Sequence, residues 1–249
     1  MSQKLTFYSI GENCLGHGVL ERHGKVVAAT PFSHGRSNID YLMQMVRTKF
    51  DGFMDESQLR YDDRHNTRIV INPRYTCDSE LFDPTVANSF EFTHHDVLAK
   101  PQAKASYERK VRRFQDAIKG EGNACFLYHY RSHPKQDFAR LTEKLRQFRD
   151  LMRQEATRPI TVAMFTQRKI ANDDMRGVEF RRVNDIPVAV LRTRQIWGGR
   201  DMDVFWGRSD DDLFAPMIGA FEFDAVTNTM PQTADTPPRL LARIWPRRR

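Results

Sequence analysis

Hydrophobic and polar positions follow two rhythms along the chain, and the switches between them mark out its elements. Lys4 to Ile10 is a short apolar run of strand-like composition. It ends at Gly11, where the backbone can bend, and Asn13 is a residue type that caps helix starts. A helix from here would carry Cys14 in its first turn, set Leu15 and Val19 one turn apart, and stop at Gly24. Lys25 to Thr30 reads as a second short strand, and Pro31-Phe32-Ser33-His34-Gly35-Arg36 as an ordered loop. Tyr41, Leu42, Met45, Val46 and Phe50 then recur at helical intervals, behind Ser37 and Asp40 at capping-box spacing. Between Asp51 and Asn88 the rhythm is lost, except for a strand-like run from Thr67 to Asn72 bounded by Pro73.

Phe90 to Asp96 alternates aromatic and polar residues, as does a strand running out into a loop. The clearest helix follows. Pro101 suits its first turn, Ala103, Tyr107, Val111, Phe114 and Ile118 form one apolar stripe, and Gly120 ends it. Lys104, Arg109, Lys110, Arg112 and Arg113 fall to its solvated face. Asn123 to Tyr130 is a buried-strand pattern, and a second helix starting near Pro134 buries Phe138, Leu141, Leu145, Phe148 and Leu151. Pro159 to Phe165 and Ile186 to Leu191 are further strands.

Strands separated by helices of this length predict parallel βαβ units. The expected fold is an α/β three-layer sandwich with a mostly parallel sheet, and the alternative is a papain-like α+β arrangement. Beyond Arg194, Ser209 and Asp212 suggest a cap for a short helix that Pro216 would break. From Thr227 onward Thr, Pro and Arg dominate. One domain over 1–226 is therefore expected, with a tail over 227–249 docked through Leu240, Leu241, Ile244 and Trp245.

A chain of 249 residues, 40% hydrophobic, can bury one substantial core. No stretch approaches a membrane span and no leader-like apolar segment opens the chain, so a cytoplasmic location is expected. The net charge of +7 is spread over several amphipathic segments with no nucleic-acid-binding motif, so it does not call for a nucleic-acid partner. Three cysteines, Cys14, Cys77 and Cys125, lack paired spacing, so no disulfide framework, metal site or cofactor is indicated. Oligomeric state leaves no mark.

Chemistry enters at Cys14. In a first helical turn, free N–H groups and the positive end of the helix dipole favour the thiolate, whereas a buried free cysteine is most often a small hydrophobe. The second cluster is His94-His95-Asp96. His95 is the first candidate for a base that takes the thiol proton, with His94 as competitor, since neighbours on an extended segment point to opposite sides. Asp96 can orient His95 only if the chain turns there.

The order Gly11-Glu12-Asn13-Cys14, then Pro31-Phe32 before a helix, then His95-Asp96, then Tyr107 to Phe114 and Phe126 to Arg131, resembles a mainly bacterial family of uncharacterised proteins described as papain-like cysteine peptidases. The resemblance runs from about Leu5 to about Phe165. It implies that Cys14 is the nucleophile and that His95-Asp96 matches the family's His-Asp pair. Pro31-Phe32-Ser33-His34 departs from the family's usual Pro-Phe-Asp-Trp. The nucleophile in the turn after strand one is also similar to the SGNH-type three-layer hydrolases.

Two functions follow. One is a cysteine hydrolase or acyl transferase working through a Cys-His dyad and a thioester, with Asn13 and helix-start N–H groups as oxyanion donors. The other is a non-catalytic α/β binding module accessory to glycan or cell-envelope assembly. Ser33, His34 and Arg36 are expected to line the same cleft, with His34 as an alternative base. Arg131, Arg168, Arg192 and Arg194 each follow a predicted strand. If those strands are parallel, the arginines gather on the edge where open α/β sheets bind ligands, and an anionic small molecule, glycan or peptide is expected.

Overall fold

The computed structural model describes residues 5–25, 28–64, 67–131, 137–198 and 201–228. Its framework is a sheet of five strands among the described residues: β1 (Leu5–Ser9), β5 (Asn123–Tyr130), β6 (Ile160–Lys169), β8 (Ile186–Thr193) and β7 (Gly177–Val183), in that order. The first four are parallel and β7 is antiparallel to β8. A second sheet of three antiparallel strands, β2 (Arg60–Arg64), β3 (Thr67–Asn72) and β4 (Phe90–Glu91), stands apart from it.

The period-two pattern of the central strands fills both faces. Phe126, Tyr128 and Tyr130 of β5 join a core with α2 (Ile39–Arg47), α4 (Pro101–Lys119) and α5 (Phe138–Arg153), through Tyr41, Phe114 and Leu145 among others. Cys125 and Leu127 point the other way, into a core with Leu15 and Val19 of α1 (Leu15–Arg22) and Phe214, Met217 and Phe221 of α7 (Asp211–Thr227). This is an α/β sandwich of three layers. Two short helices, α3 (Pro84–Ala87) and α6 (Met202–Trp206), fill connections. Among the described residues, no helix is long and apolar enough to cross a membrane.

Several local expectations change. The described part of Lys25 to Thr30 is not a strand. Instead the Thr30 hydroxyl donates to the Ser9 carbonyl, 3.1 Å away, so a side chain rather than a ladder ties the segment to β1. The cap of α2 is Asn38, whose Oδ1 accepts from Tyr41 N at 3.1 Å, not Ser37. Pro216 does not break α7, because Leu213, Phe214, Met217 and Ile218 on either side of it are buried, which offsets the roughly 3 kcal/mol an interior proline costs. Strand β7 has no counterpart in the predicted elements; a two-residue turn at Asn184 and Asp185, both at positive φ, makes it a hairpin with β8. Pro134 and the tail beyond Asn228, with Leu240, Leu241, Ile244 and Trp245, lie outside the described residues.

Candidate functional site

Pairing of β1 with β5 continues past the strand ends, Ile10 N donating to Leu127 O at 2.9 Å and Glu12 N to His129 O at 3.2 Å. Gly11 is needed for that approach, since a Cβ there would come within 2.8 Å of the His129 backbone nitrogen. The chain then turns at Asn13, whose Oδ1 accepts from Leu15 N and faces His129 Nδ1, each at 2.9 Å. An amide oxygen only accepts, so His129 carries its proton on Nδ1. The Asn13 amide nitrogen is buried and has no partner among the described residues.

Cys14 is thus the N-cap residue of α1 rather than a member of its first turn, and it caps with no side-chain hydrogen bond. It is 9% exposed. Burial pushes the thiol up; its own backbone N–H and the charge of Arg36 pull the other way and do not compensate. Position alone therefore does not make a thiolate here, because desolvation outweighs the helix start. Among the described residues no hydrogen bond joins Cys14 to a histidine.

Beneath Cys14 lies a group of polar side chains with no access to solvent. Glu12 accepts from the Tyr128 hydroxyl at 2.8 Å and from Arg131 N at 3.0 Å. Burial nevertheless raises its carboxyl to about 8, against the pull of these two donors, so it is protonated at neutral pH. His129 stacks on Phe165 with centroids 4.5 Å apart and is held neutral, with a value of about 3, by burial and by Arg131.

The other side of Cys14 is cationic. Ser33 Oγ accepts from Thr30 N at 2.9 Å, which pins the loop carrying His34 and Arg36 to the end of β1 through Thr30. His34 packs edge-on against His17, 4.7 Å between ring centres, and His17 lies three residues after Cys14 on α1. Burial lowers His34 to about 4, helped by His17, Lys110, His95 and His94. Arg36 joins its backbone to that of Glu91 and sets its guanidinium 3.6 Å from the Glu91 carboxylate. This brings the loop against β4. A cleft of about 470 Å³ opens there, walled by Arg36, Arg68, Thr93, His94 and His95.

The chain has turned by the time it reaches the histidine pair, with His94 at φ +66°. His95 Nε2 lies 3.5 Å from the ammonium of Lys110, and Asp96 accepts from Ala99 N and the Tyr61 hydroxyl, at 2.8 and 3.1 Å. Arg131 donates its backbone N–H to Glu12, sends its guanidinium to Thr85 and Asp83, and lies 4.9 Å over the Trp197 ring. Arg168 is exposed, opposite half-buried Arg192 on the far strands of the sheet, and Arg194 binds the Ala171 carbonyl and Asp173. Thus Arg36 acts on Cys14, His34 packs on His17 of the helix Cys14 caps and feels the His94-His95 turn, and Arg168, Arg192 and Arg194 sit at the C-terminal ends of β6 and β8, the same edge of the parallel sheet as Cys14.

Lys110 is the correction that matters most. It is 5% exposed, not on a solvated face. Its place three residues after Tyr107 and four before Phe114 puts it on the apolar stripe, a signal visible in the spacing alone. Glu12 and His129 had no such signal, because their roles come from pairing two strands more than a hundred residues apart.

A three-layer α/β sandwich with a buried thiol at the first strand-to-helix turn is the class that fold and site define. The chain belongs to the family described as putative papain-like cysteine peptidase (DUF1796), whose model matches residues 5–169. No curated protein and no solved structure matches it.

Proposed function

We propose that the protein is a cysteine hydrolase in which Cys14 is the nucleophile and His34 the base. The observation that carries this is the crowding of neutral imidazoles on the Cys14 side of the loop, with His34 fastened to the end of β1 through Ser33 and Thr30. Lowered by burial, His34 is unprotonated at neutral pH, so its lone pair is open to the thiol proton as sulfur attacks. His34 takes the Cys14 proton as sulfur attacks a carbonyl carbon, the carbonyl oxygen gains the charge, and the unpartnered Asn13 amide nitrogen is the donor suited to receive it. The leaving group departs with the proton from His34. Water then attacks the thioester, again giving its proton to His34, and the acid leaves as the Cys14 sulfur takes that proton back; an acceptor in place of water makes the same chemistry an acyl transfer. Arg36 and Lys110 nearby suit a substrate with an anionic group.

Site-resolved alkylation with iodoacetamide tests the reading. Cys14 should label above neutral pH faster than Cys77 and Cys125, and His34→Ala should slow it by about a hundredfold, the lower end of general-base assistance. The raised thiol of Cys14 favours a second reading, a binding module in which Cys14 is only packed. Inertness of all three thiols, unchanged in His34→Ala, would establish that one instead.

A further inference from the structure

Lys110 is a buried cation. Among the described residues no carboxylate forms an ion pair with it; its ammonium meets the His95 ring nitrogen at 3.5 Å and the face of Tyr107 at 4.4 Å. The Tyr107 hydroxyl beside it is buried without a partner among the described residues. Burial and Arg113 bring Lys110 down to about 8, so it still carries its charge at neutral pH. The imidazoles nearby, His95, His34 and His17, are lowered by burial and supply no negative charge. His95 lines the cleft with Arg36, Arg68 and Lys100 and with two carboxylates already engaged, Glu91 facing Arg36 and Asp96 accepting from Ala99 N and the Tyr61 hydroxyl. Leaving an ammonium in such a place is costly unless a charge of opposite sign completes it.

We infer that this cleft binds an oxyanion group of the ligand, a carboxylate, sulfate or phosphate, with His95 as the contacting donor and Lys110 as the charge behind it. The site would anchor the anionic end of the substrate proposed above, and it rests on that reading only for its biological purpose, since binding does not require the thiol. With Nε2 facing the Lys110 ammonium at 3.5 Å, Nδ1 is the donor left to His95, which lines the cleft. Lys110 is a positioning residue in this scheme, acting through His95.

The probe is inorganic sulfate, whose charge is constant across the working range, followed by thermal melting of the full chain, with malonate as the carboxylate arm. Sulfate also stabilises proteins generally by exclusion from their surface. Lys110→Met shares that general effect, so the difference between the two proteins isolates the site. Wild type and Cys14→Ser should show the same saturable rise in melting temperature, and Lys110→Met should lose it or weaken apparent affinity by more than about tenfold, the scale of one charge-assisted hydrogen bond. Without anion, Lys110→Met should melt no lower than wild type, because an unpaired buried charge is gone. Should that variant fail to fold, protection of His95 from diethylpyrocarbonate by sulfate or malonate in wild type gives the same information. Equal responses in wild type and Lys110→Met, or no protection of His95 by either anion, would overturn the inference. A lost thiol reactivity with an intact sulfate response would instead sink the hydrolase and leave this site standing.

Discussion

The two polar groups that flank Cys14 are built on opposite plans. On the sheet side, Glu12, Tyr128, His129 and Asn13 are all but closed to solvent, neutral at pH 7, and joined by short hydrogen bonds across the β1–β5 seam. On the loop side, His17 meets His34 edge-on, His95 meets Lys110 at 3.5 Å, and Arg36 pairs with Glu91; His95 and Arg36 border an open cleft. The first is an arrangement in which each member is worth most when its partners are present. The second stores an imbalance that only something from outside can relieve. The contrast predicts that stability rests on the seam, and reactivity and recognition on the loop.

The sharpest way to break this contrast is Glu12→Ala. It strands the Tyr128 hydroxyl and the Arg131 N–H in the interior and should cost about 3 kcal/mol in urea unfolding, from two buried groups left unpaired. A loss no larger than the roughly 0.5 kcal/mol of a surface change would show that the seam carries no special weight. Glu12→Gln keeps the shape and should cost far less at neutral pH. It also exposes a pH dependence with a definite sign. The folded carboxyl sits at about 8 against an ordinary 4.5, so its contribution is complete below 4.5 and declines through that window. Wild-type stability should fall by about 1 kcal/mol for each pH unit across it and level off above, and Glu12→Gln should flatten the slope.

On the loop side the effect moves from stability to reactivity. His34→Ala should alter unfolding by less than about 1 kcal/mol, since it removes a half-buried ring that makes no hydrogen bond among the described residues, while slowing Cys14 alkylation as described. A variant that unfolds easily but labels normally would reverse the assignment of the two sides. The smallest effect is expected at the edge of the sheet. Arg194→Ala removes an exposed contact with Asp173 and should leave both stability and Cys14 labelling unchanged within about 0.5 kcal/mol.

The parts legible in the sequence are those set by local rhythm. Strands β5, β6 and β8 and helices α4 and α5 announce themselves through period and caps, and their alternation carries the parallel sheet. The turn at Gly11, with Cys14 at the head of a helix, is legible for the same reason. What is lost is whatever depends on distant partners. Strand β2 is charged throughout its five residues except at Tyr61, so its pairing with β3 leaves no apolar trace. The pinning of the Ser33 loop to β1 is a hydroxyl-to-carbonyl contact across 21 positions, which no periodicity encodes. Likewise the raised Cys14 thiol follows from layers packed around it, not from its place at a helix start.

The family match stops at Lys169, the last residue of β6. Cys14, His34, His95 and Lys110 all precede that point. Yet β8 pairs with β6 from Met164 to Lys169, and Phe214, Met217 and Phe221 of α7 cover the face formed by Leu127, Ala163 and Phe165. A polypeptide ended after Lys169 would present that face bare, a broad apolar surface of the kind that drives association. The segment the family model spans and the segment the fold needs therefore have different lengths. The model covers about two thirds of the chain, and β8 and α7 beyond it close the core that those residues leave open.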